Sequence, residues 1–488
     1  VPTTSNLRLP TAAIKSQLGQ PGPFPHVRGA KARRAADAPS FIPAFLLFIV
    51  VNAVLLIRPA EIFPQLQGIE LYFFAILACS LCAAGDVLRY LIDRPLHTQP
   101  ITLCLFGLLV AVLLPQMVVL NFGEAWTTGF HFFKNIVYFL LFVSLVNTLG
   151  RLRVFLACLL LIAAVVLVVA VLDYHQIAPL STLKAARDTE VGSWGEVTEF
   201  DRLQFTGIFN DPNEVCVWLA TLLPLVLGGL LRDRDVLRRG LWLGLLILFG
   251  YGIFLTRSRG GFLAMVVGLG VAVLCRYGRQ RAALVAAIGL PVVLLLFAGR
   301  QTDLGTSVGT GQTRVQIWSD WLNRFRENPL VGEGMNLKNF DPEQIKEMKR
   351  LGIDVGHLAH NSFLQAFADV GFCGGCLFLG AFGVALWSLW RVGRPGAPGA
   401  PPIDPAVCEL QPFLLGATSA YCVGMLTLSL WVLAPTYVVL ALAASYPRAR
   451  GCPPPVRFDV NLLDRFALAG IAYLGAMYLF VRLFVNWG

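Results

Sequence analysis

Charge is what this chain has least of. Asp, Glu, Lys and Arg make up 14% of its 488 residues, where an ordinary soluble domain carries about 25%. That shortage excludes a globule folded in water. Apolar residues fill the gap, at 56% of the chain with a mean hydropathy of +0.67. They recur in runs of about 18 or more, each long enough to cross a bilayer as a helix. Lipid offers no partner for a backbone amide, so such segments must bond internally. The fold class read from this is an all-α polytopic membrane protein.

Other absences narrow the function. Histidine occurs six times, and two of the six, His357 and His360, stand three apart with Asn361 before a long apolar run. A metal pair there lacks a third ligand, so no metal is expected. The C-x-x-C pairs CSLC (79–82) and CGGC (373–376) lie in apolar helical sequence. They lack the second ligand pair or soluble context of a zinc or redox site, and read as small residues packing between helices. The Gly-rich GTSVGTGQT at 305–313 has neither the P-loop lysine nor a preceding strand. No cofactor is expected. The net charge of +10 does not indicate nucleic acid, because Lys and Arg cluster between apolar runs as topology demands.

About thirteen spans are expected, with an error of one either way. They are 41–58, 68–88, 101–120, 129–148, 153–173, 212–231, 240–256, 260–276, 281–299, 360–390, 411–429, 431–446 and 464–485. Residues 1–40 are Pro-rich and basic, without a signal-peptide core; they read as a disordered cytoplasmic tail before a single membrane domain, 41–488. With that tail inside, the inner loops hold Arg89 and Arg94, Arg151 and Arg153, RDRDVLRR (232–239), Arg276 to Arg281, Arg391 and Arg394, and Arg448 to Arg457. Every inner loop is then basic.

Three outer segments carry arginine against this rule: 174–211, the turn LTRSRGGF (255–262) and 300–360. Within the last, RVQIWSDWLNRFREN (314–328) spaces its apolar residues as an amphipathic helix, ended by Asn328-Pro329. EQIKEMKRLG (343–352) reads as a second, polar helix. Arginine placed against the topology signal needs another reason. Arg202, Arg257, Arg259 and Arg314, with Asp211, Asn213, Glu214, Glu333, His357, His360 and Asn361, come from distant stretches yet share one side. Guanidinium forks match phosphate oxygens and stay charged, so this set wants an anion.

The order of four motifs resembles the O-antigen ligase and polymerase superfamily of bacterial envelope glycosyltransferases. They are RLQFTGIFNDPNE (202–214), LTRSRGGFLAMVVGL (255–269), TRVQIWSDWLNRFRENPLVGEGMNLKNF (313–340) and LAHNSFLQAFADVGFCGG (358–375). The resemblance spans roughly 200–385, and the spans before it match only in being apolar. It implies a GT-C-like helical fold in the bacterial inner membrane, with the active site facing the periplasm. It further implies metal-independent, inverting transfer of a glycan from a polyprenyl diphosphate carrier to a hydroxyl acceptor: lipid A core, a growing glycan or a protein. Other envelope-assembly proteins are candidate partners. The family histidine maps to His360, its arginine after the seventh span to Arg259, and its arginine before the DPN motif to Arg202.

Chemistry agrees with that carry-over. A departing diphosphate needs positive charge, which Arg202, Arg259 and Arg314 can supply. The acceptor hydroxyl needs a base, and a histidine opening a helix is favoured in its neutral form by the helix dipole. Each residue also has a plainer reading. His360 caps a helix, and Asn361 is an N-cap. Arg257 snorkels to the surface. Arg314 pairs with Asp303 or Asp320. Asp211 and Pro212 start a helix, with Glu214 meeting a sugar hydroxyl or Arg202. A transporter or a non-catalytic assembly scaffold is the alternative at the level of the whole chain. A transporter would place its ionisable groups near mid-membrane in two repeats, and no repeat is found here.

Overall fold

The computed structural model describes residues 41–66, 68–93, 95–180, 186–191, 197–205, 207–209, 211–296, 310–335, 358–392, 409–449 and 456–485. The expected tail 1–40, His357, Asp303 and the expected polar helix 343–352 lie outside them.

The described residues are mainly helical. In order the helices are α1 (Ile42–Ile57), α2 (Leu71–Ile92), α3 (Pro100–Val118), α4 (Phe122–Leu145) and α5 (Leu149–Tyr174). There follow α6 (Pro212–Arg232), α7 (Val236–Thr256), α8 (Arg259–Leu296), α9 (Thr310–Glu327), α10 (Ser362–Val392), α11 (Gln411–Met425), α12 (Ala434–Ala449) and α13 (Val460–Phe484). Among the described residues, ten helices are long and apolar enough to cross a membrane. The thirteen expected spans all appear as helical segments. Two of them, α11 and α12, are 15 and 16 residues long, short of a full crossing. Another pair, 260–276 and 281–299, runs together in α8. At 38 residues α8 would reach about 57 Å if straight, nearly twice a bilayer core. It breaks at Gly278, whose φ of 78° is left-handed.

One loop departs from the all-helical expectation. Segment 174–211 carries two antiparallel strands, β1 (Ala186–Val191) and β2 (Val197–Arg202), paired from Ala186 opposite Arg202 to Val191 opposite Val197. Leu203 N–H bonds Leu255 O at 3.2 Å, docking the end of β2 on the end of α7.

The core of the bundle is α6, α8 and α11, each packed on the other two. Gly268 and Gly416 let α8 and α11 approach at backbone distance; a Cβ on Gly268 would meet Ala420 Cβ at 2.7 Å. Small residues drive such contacts in lipid, where burial of apolar surface gives no gain. The amphipathic α9 is not a span. It buries Val315, Ile317, Trp321 and Leu322 against Ala359, Leu364, Ala368 and Val481, covering the start of α10 and the end of α13.

Candidate active site

The site begins at the turn joining α7 to α8. Arg257 closes α7 in the left-handed region, φ 49°. Ser258 then caps α8, its Oγ accepting from Gly261 N–H at 3.3 Å. The two arginines of this turn part company. Arg257 is exposed and lies over the Phe200 ring, 4.8 Å from its centroid. Arg259 enters the first turn of α8. A cation there opposes the helix dipole, so its placement serves something other than helix stability.

Arg202, at the end of β2, is 8% exposed. Its Nε donates to Thr256 O at 2.8 Å, and its Nη2 to Asn213 Oδ1 at 2.8 Å. Asn213 is itself aimed by Asp211, whose Oδ1 accepts from Asn213 N–H at 2.6 Å and Asn213 Nδ2 at 2.7 Å. The expected Asp-Pro helix start is therefore present, and it doubles as the mount for Arg202. Glu214 sits half-buried in the first turn of α6, within electrostatic reach of the Tyr421 phenol.

Arg314 reaches the same place from α9. Its pKa is lowered, first by burial, then by repulsion from Arg202 and Arg259, with Asp211 opposing the shift. An arginine does not deprotonate in a protein. A buried guanidinium within electrostatic range of two others makes a place that favours a bound anion. Asp320, one of the two expected salt-bridge partners, is exposed, and Arg314 lies within electrostatic range of Asp211, Arg202 and Arg259.

His360 comes from the turn before α10. It does not open the helix as expected. Helix α10 begins at Ser362, and Asn361 is its cap: Asn361 Oδ1 accepts from Leu364 N–H at 3.2 Å and from the Tyr473 hydroxyl at 2.8 Å. His360 lies just before the cap, in the left-handed region at φ 47°, where a residue with a Cβ is strained. Its N–H donates to Ser429 Oγ at 3.0 Å. Next to it, Trp318 Nε1 donates to Ala359 O at 2.9 Å. Arg314 is one helical turn before Trp318 on α9, on the same helix face.

The link 426–433 between α11 and α12 joins the two groups. Ser362 Oγ donates to Leu428 O at 2.6 Å and accepts from Leu430 N–H at 2.8 Å. Next to Leu428, Thr427 packs on Gly260, where a Cβ would meet Thr427 Oγ1 at 2.6 Å. Trp431 Nε1 donates to Asp369 Oδ2 at 3.0 Å, with Asp369 2% exposed inside α10. Sequence reasoning missed Thr427, Ser429 and Asp369. The first two had no signal beyond two hydroxyls at the junction of two spans. Asp369 had one, a carboxylate in a membrane helix.

Just beyond, α10 is broken at Val370 and Gly371, the latter at φ 69°. The segment 329–334 plugs the break. Glu333 N–H bonds Ala368 O at 2.9 Å, Gly334 N–H bonds Asp369 O at 3.0 Å, and Phe372 N–H bonds Pro329 O at 2.8 Å. Backbone groups freed inside a membrane helix must find such partners. Glu333, expected at the site, serves here and in an ion pair with Arg324 at 3.1 Å.

Among the described residues, no three His, Cys, Asp or Glu side chains gather to hold a metal ion. The C-x-x-C pairs are split between faces: Cys79 and Cys376 are buried, Cys82 and Cys373 exposed.

This is a polytopic α-helical membrane protein with three arginines and a histidine drawn to one end of its bundle. Residues 243–379 match the family model of O-antigen ligase, which supports the likeness to the O-antigen ligase-like superfamily carried by the motifs. The matched stretch holds Arg257, Arg259, Arg314 and His360; Arg202, Asn213 and Glu214 precede it. Glycan transfer is supported at the level of that family. No curated protein matches the chain.

Proposed function

We propose that the protein is a glycosyltransferase that moves a glycan from a polyprenyl diphosphate carrier to a hydroxyl acceptor at the periplasmic face of the inner membrane. The observation that carries this is Arg202, held by Asn213 and Asp211 and tied to Thr256 at the turn that bears Arg259, with Arg314 in electrostatic range of both arginines. Three mounted guanidinium groups suit a diphosphate better than a single phosphate, because developing charge spreads over both groups as the carrier leaves.

In this reading the acceptor oxygen attacks the anomeric carbon from the face opposite the carrier. The carbon–oxygen bond to the diphosphate breaks, and the diphosphate departs with the bonding pair. His360 takes the hydroxyl proton. One direct displacement inverts the anomeric centre, and no metal is required. Arg257 is assigned a different part from the other three, holding the hairpin through Phe200. Asn213 and Asn361 are supports for Arg202 and His360, and Glu214 is left to meet acceptor or donor hydroxyls.

The helices themselves favour the periplasmic side. The site lies at the start of α6, the end of α7 and the start of α8. The opposite ends of those helices carry Arg232 to Arg239 and Arg276 to Arg281, a basic end that belongs in the cytoplasm. The match to O-antigen ligase favours a lipid A-core acceptor. The acidic DPNE motif favours a growing glycan, the acceptor of a polymerase.

The test is release of the carrier diphosphate from a polyprenyl-diphosphate oligosaccharide by purified protein. His360→Ala is expected to lose turnover by about 10²–10⁴-fold while keeping donor affinity. Unchanged turnover would remove the base from the mechanism. Product size separates ligase from polymerase.

A further inference from the structure

A basic cavity lies at the other end of the same helices. It has a volume of about 240 Å³ and is rimmed by Arg153, Arg232, Arg234 and Arg276. These come from the start of α5, the end of α6 with the residues after it, and the middle of α8. Its floor is apolar. Phe413 lies against Gly228 and Trp242 against Gly229 so closely that a Cβ on either glycine would sit 2.7 Å or less from a ring carbon. Two aromatic rings are thus laid on bare backbone beneath four guanidinium groups.

We propose that this cavity binds the phosphate headgroup of an anionic phospholipid. It is independent of the transfer site: α6 separates the two by 21 residues, about 30 Å of helix. That is the thickness of a bilayer core, so the cavity opens at the level of headgroups. Its lining holds one carboxylate, Glu409, against the four arginines. The nearby Asp233 is engaged, accepting from Trp242 Nε1 at 2.5 Å and lying 3.9 Å from Arg232. A lining of four arginines and one carboxylate beside apolar side chains complements a phosphodiester whose acyl chains stay in the bilayer. Basic pockets between membrane helices on the cytoplasmic side take anionic headgroups by this chemistry. The volume is below the roughly 300 Å³ at which pockets for drug-sized ligands begin, so it suits a headgroup rather than an oligosaccharide.

The test titrates full-length protein in detergent with phosphatidylglycerol, phosphatidylcholine or inorganic phosphate, reading bound lipid by native mass spectrometry and unfolding by heat. The pair Arg234→Gln with Arg276→Gln removes two exposed rim charges. The pair Arg238→Gln with Arg239→Gln removes two exposed charges outside the lining. Phosphatidylglycerol is expected to bind wild type and the outside pair alike, and about 30-fold more weakly to the rim pair. Should the rim pair unfold, Arg153→Gln alone is expected to lose about fivefold. Equal loss in both pairs, or equal binding of phosphatidylcholine, overturns the site. Stabilisation by inorganic phosphate equal to that by phosphatidylglycerol overturns the lipid as its occupant.

Discussion

The two halves of the candidate site are built in opposite ways. The mount of Arg202 in the arginine half is local in sequence, with one longer tie to Thr256, 54 residues on. Asp211 aims Asn213, Asn213 holds Arg202, and Arg202 ties to Thr256 at the turn that launches Arg259. The histidine half draws its supports from far along the chain. Ser429 is 69 residues from His360, and Tyr473 is 112 from Asn361. The first half is a set of helix ends that cap themselves. The second is one strained turn held by other helices.

That difference predicts how each half fails. Removing a cation from the first should cost chemistry and spare the fold. Arg259→Ala is expected to lower carrier release by about 10²–10³-fold, the scale of losing one group that stabilises a departing charge. It should also weaken donor binding, unlike His360→Ala. Thermal unfolding should stay near wild type, since a cation at a helix start adds no stability. A large fall in the melting temperature would mean that the arginine half is structural.

The 329–334 plug on α10, beside the second half, should fail through the fold. Gly371 and Gly332 both take positive φ, and a Cβ on Gly332 would lie 2.5 Å from the Asp369 carbonyl. Gly332→Ala is expected to destabilise by about 1–3 kcal/mol from backbone strain and overpacking, read as a lowered melting temperature with turnover falling in parallel. Unchanged stability would show that the 329–334 plug is loosely held.

The same contrast explains what could be read from the sequence. The thirteen helical segments, the Asp211-Pro212 start and the Asn328-Pro329 stop are local patterns of hydropathy and capping, and they were legible. The gathering of Arg202, Arg259 and Arg314 was legible only as a shared side of the membrane. That Arg257 leaves this group depends on its φ and on Phe200 of a hairpin, and mixed-charge loop sequence gave no alternation to reveal the strands. The position of His360 just before the cap depends on Asn361 preferring Leu364 N–H and the Tyr473 hydroxyl. Nothing near residue 360 records Ser429 or Trp318.

A milder substitution sharpens the comparison. Ser429→Ala removes the acceptor of the His360 N–H and little else. A hydrogen bond of this kind is worth about 1 kcal/mol net, so turnover is expected to fall about fivefold. Donor affinity should hold, and the melting temperature should move by only a few degrees. A positioning role predicts that Ser429→Thr, which keeps the hydroxyl, recovers turnover. A role in packing alone predicts that it does not, because the added methyl enters a loop already pinned at Leu428, Leu430 and Trp431.

The smallest effect belongs to Arg257, the arginine that the turn sends outward. Its guanidinium over Phe200 is a half-exposed cation–π contact, worth about 0.5–1 kcal/mol. Arg257→Leu is expected to keep carrier release within about threefold of wild type and to loosen the hairpin, read as faster amide exchange over β2. Arg259→Leu, two residues on, should abolish most turnover and leave that exchange unchanged. If the two variants lose turnover equally, the turn presents both arginines to the anion, and the division of labour between neighbouring residues fails.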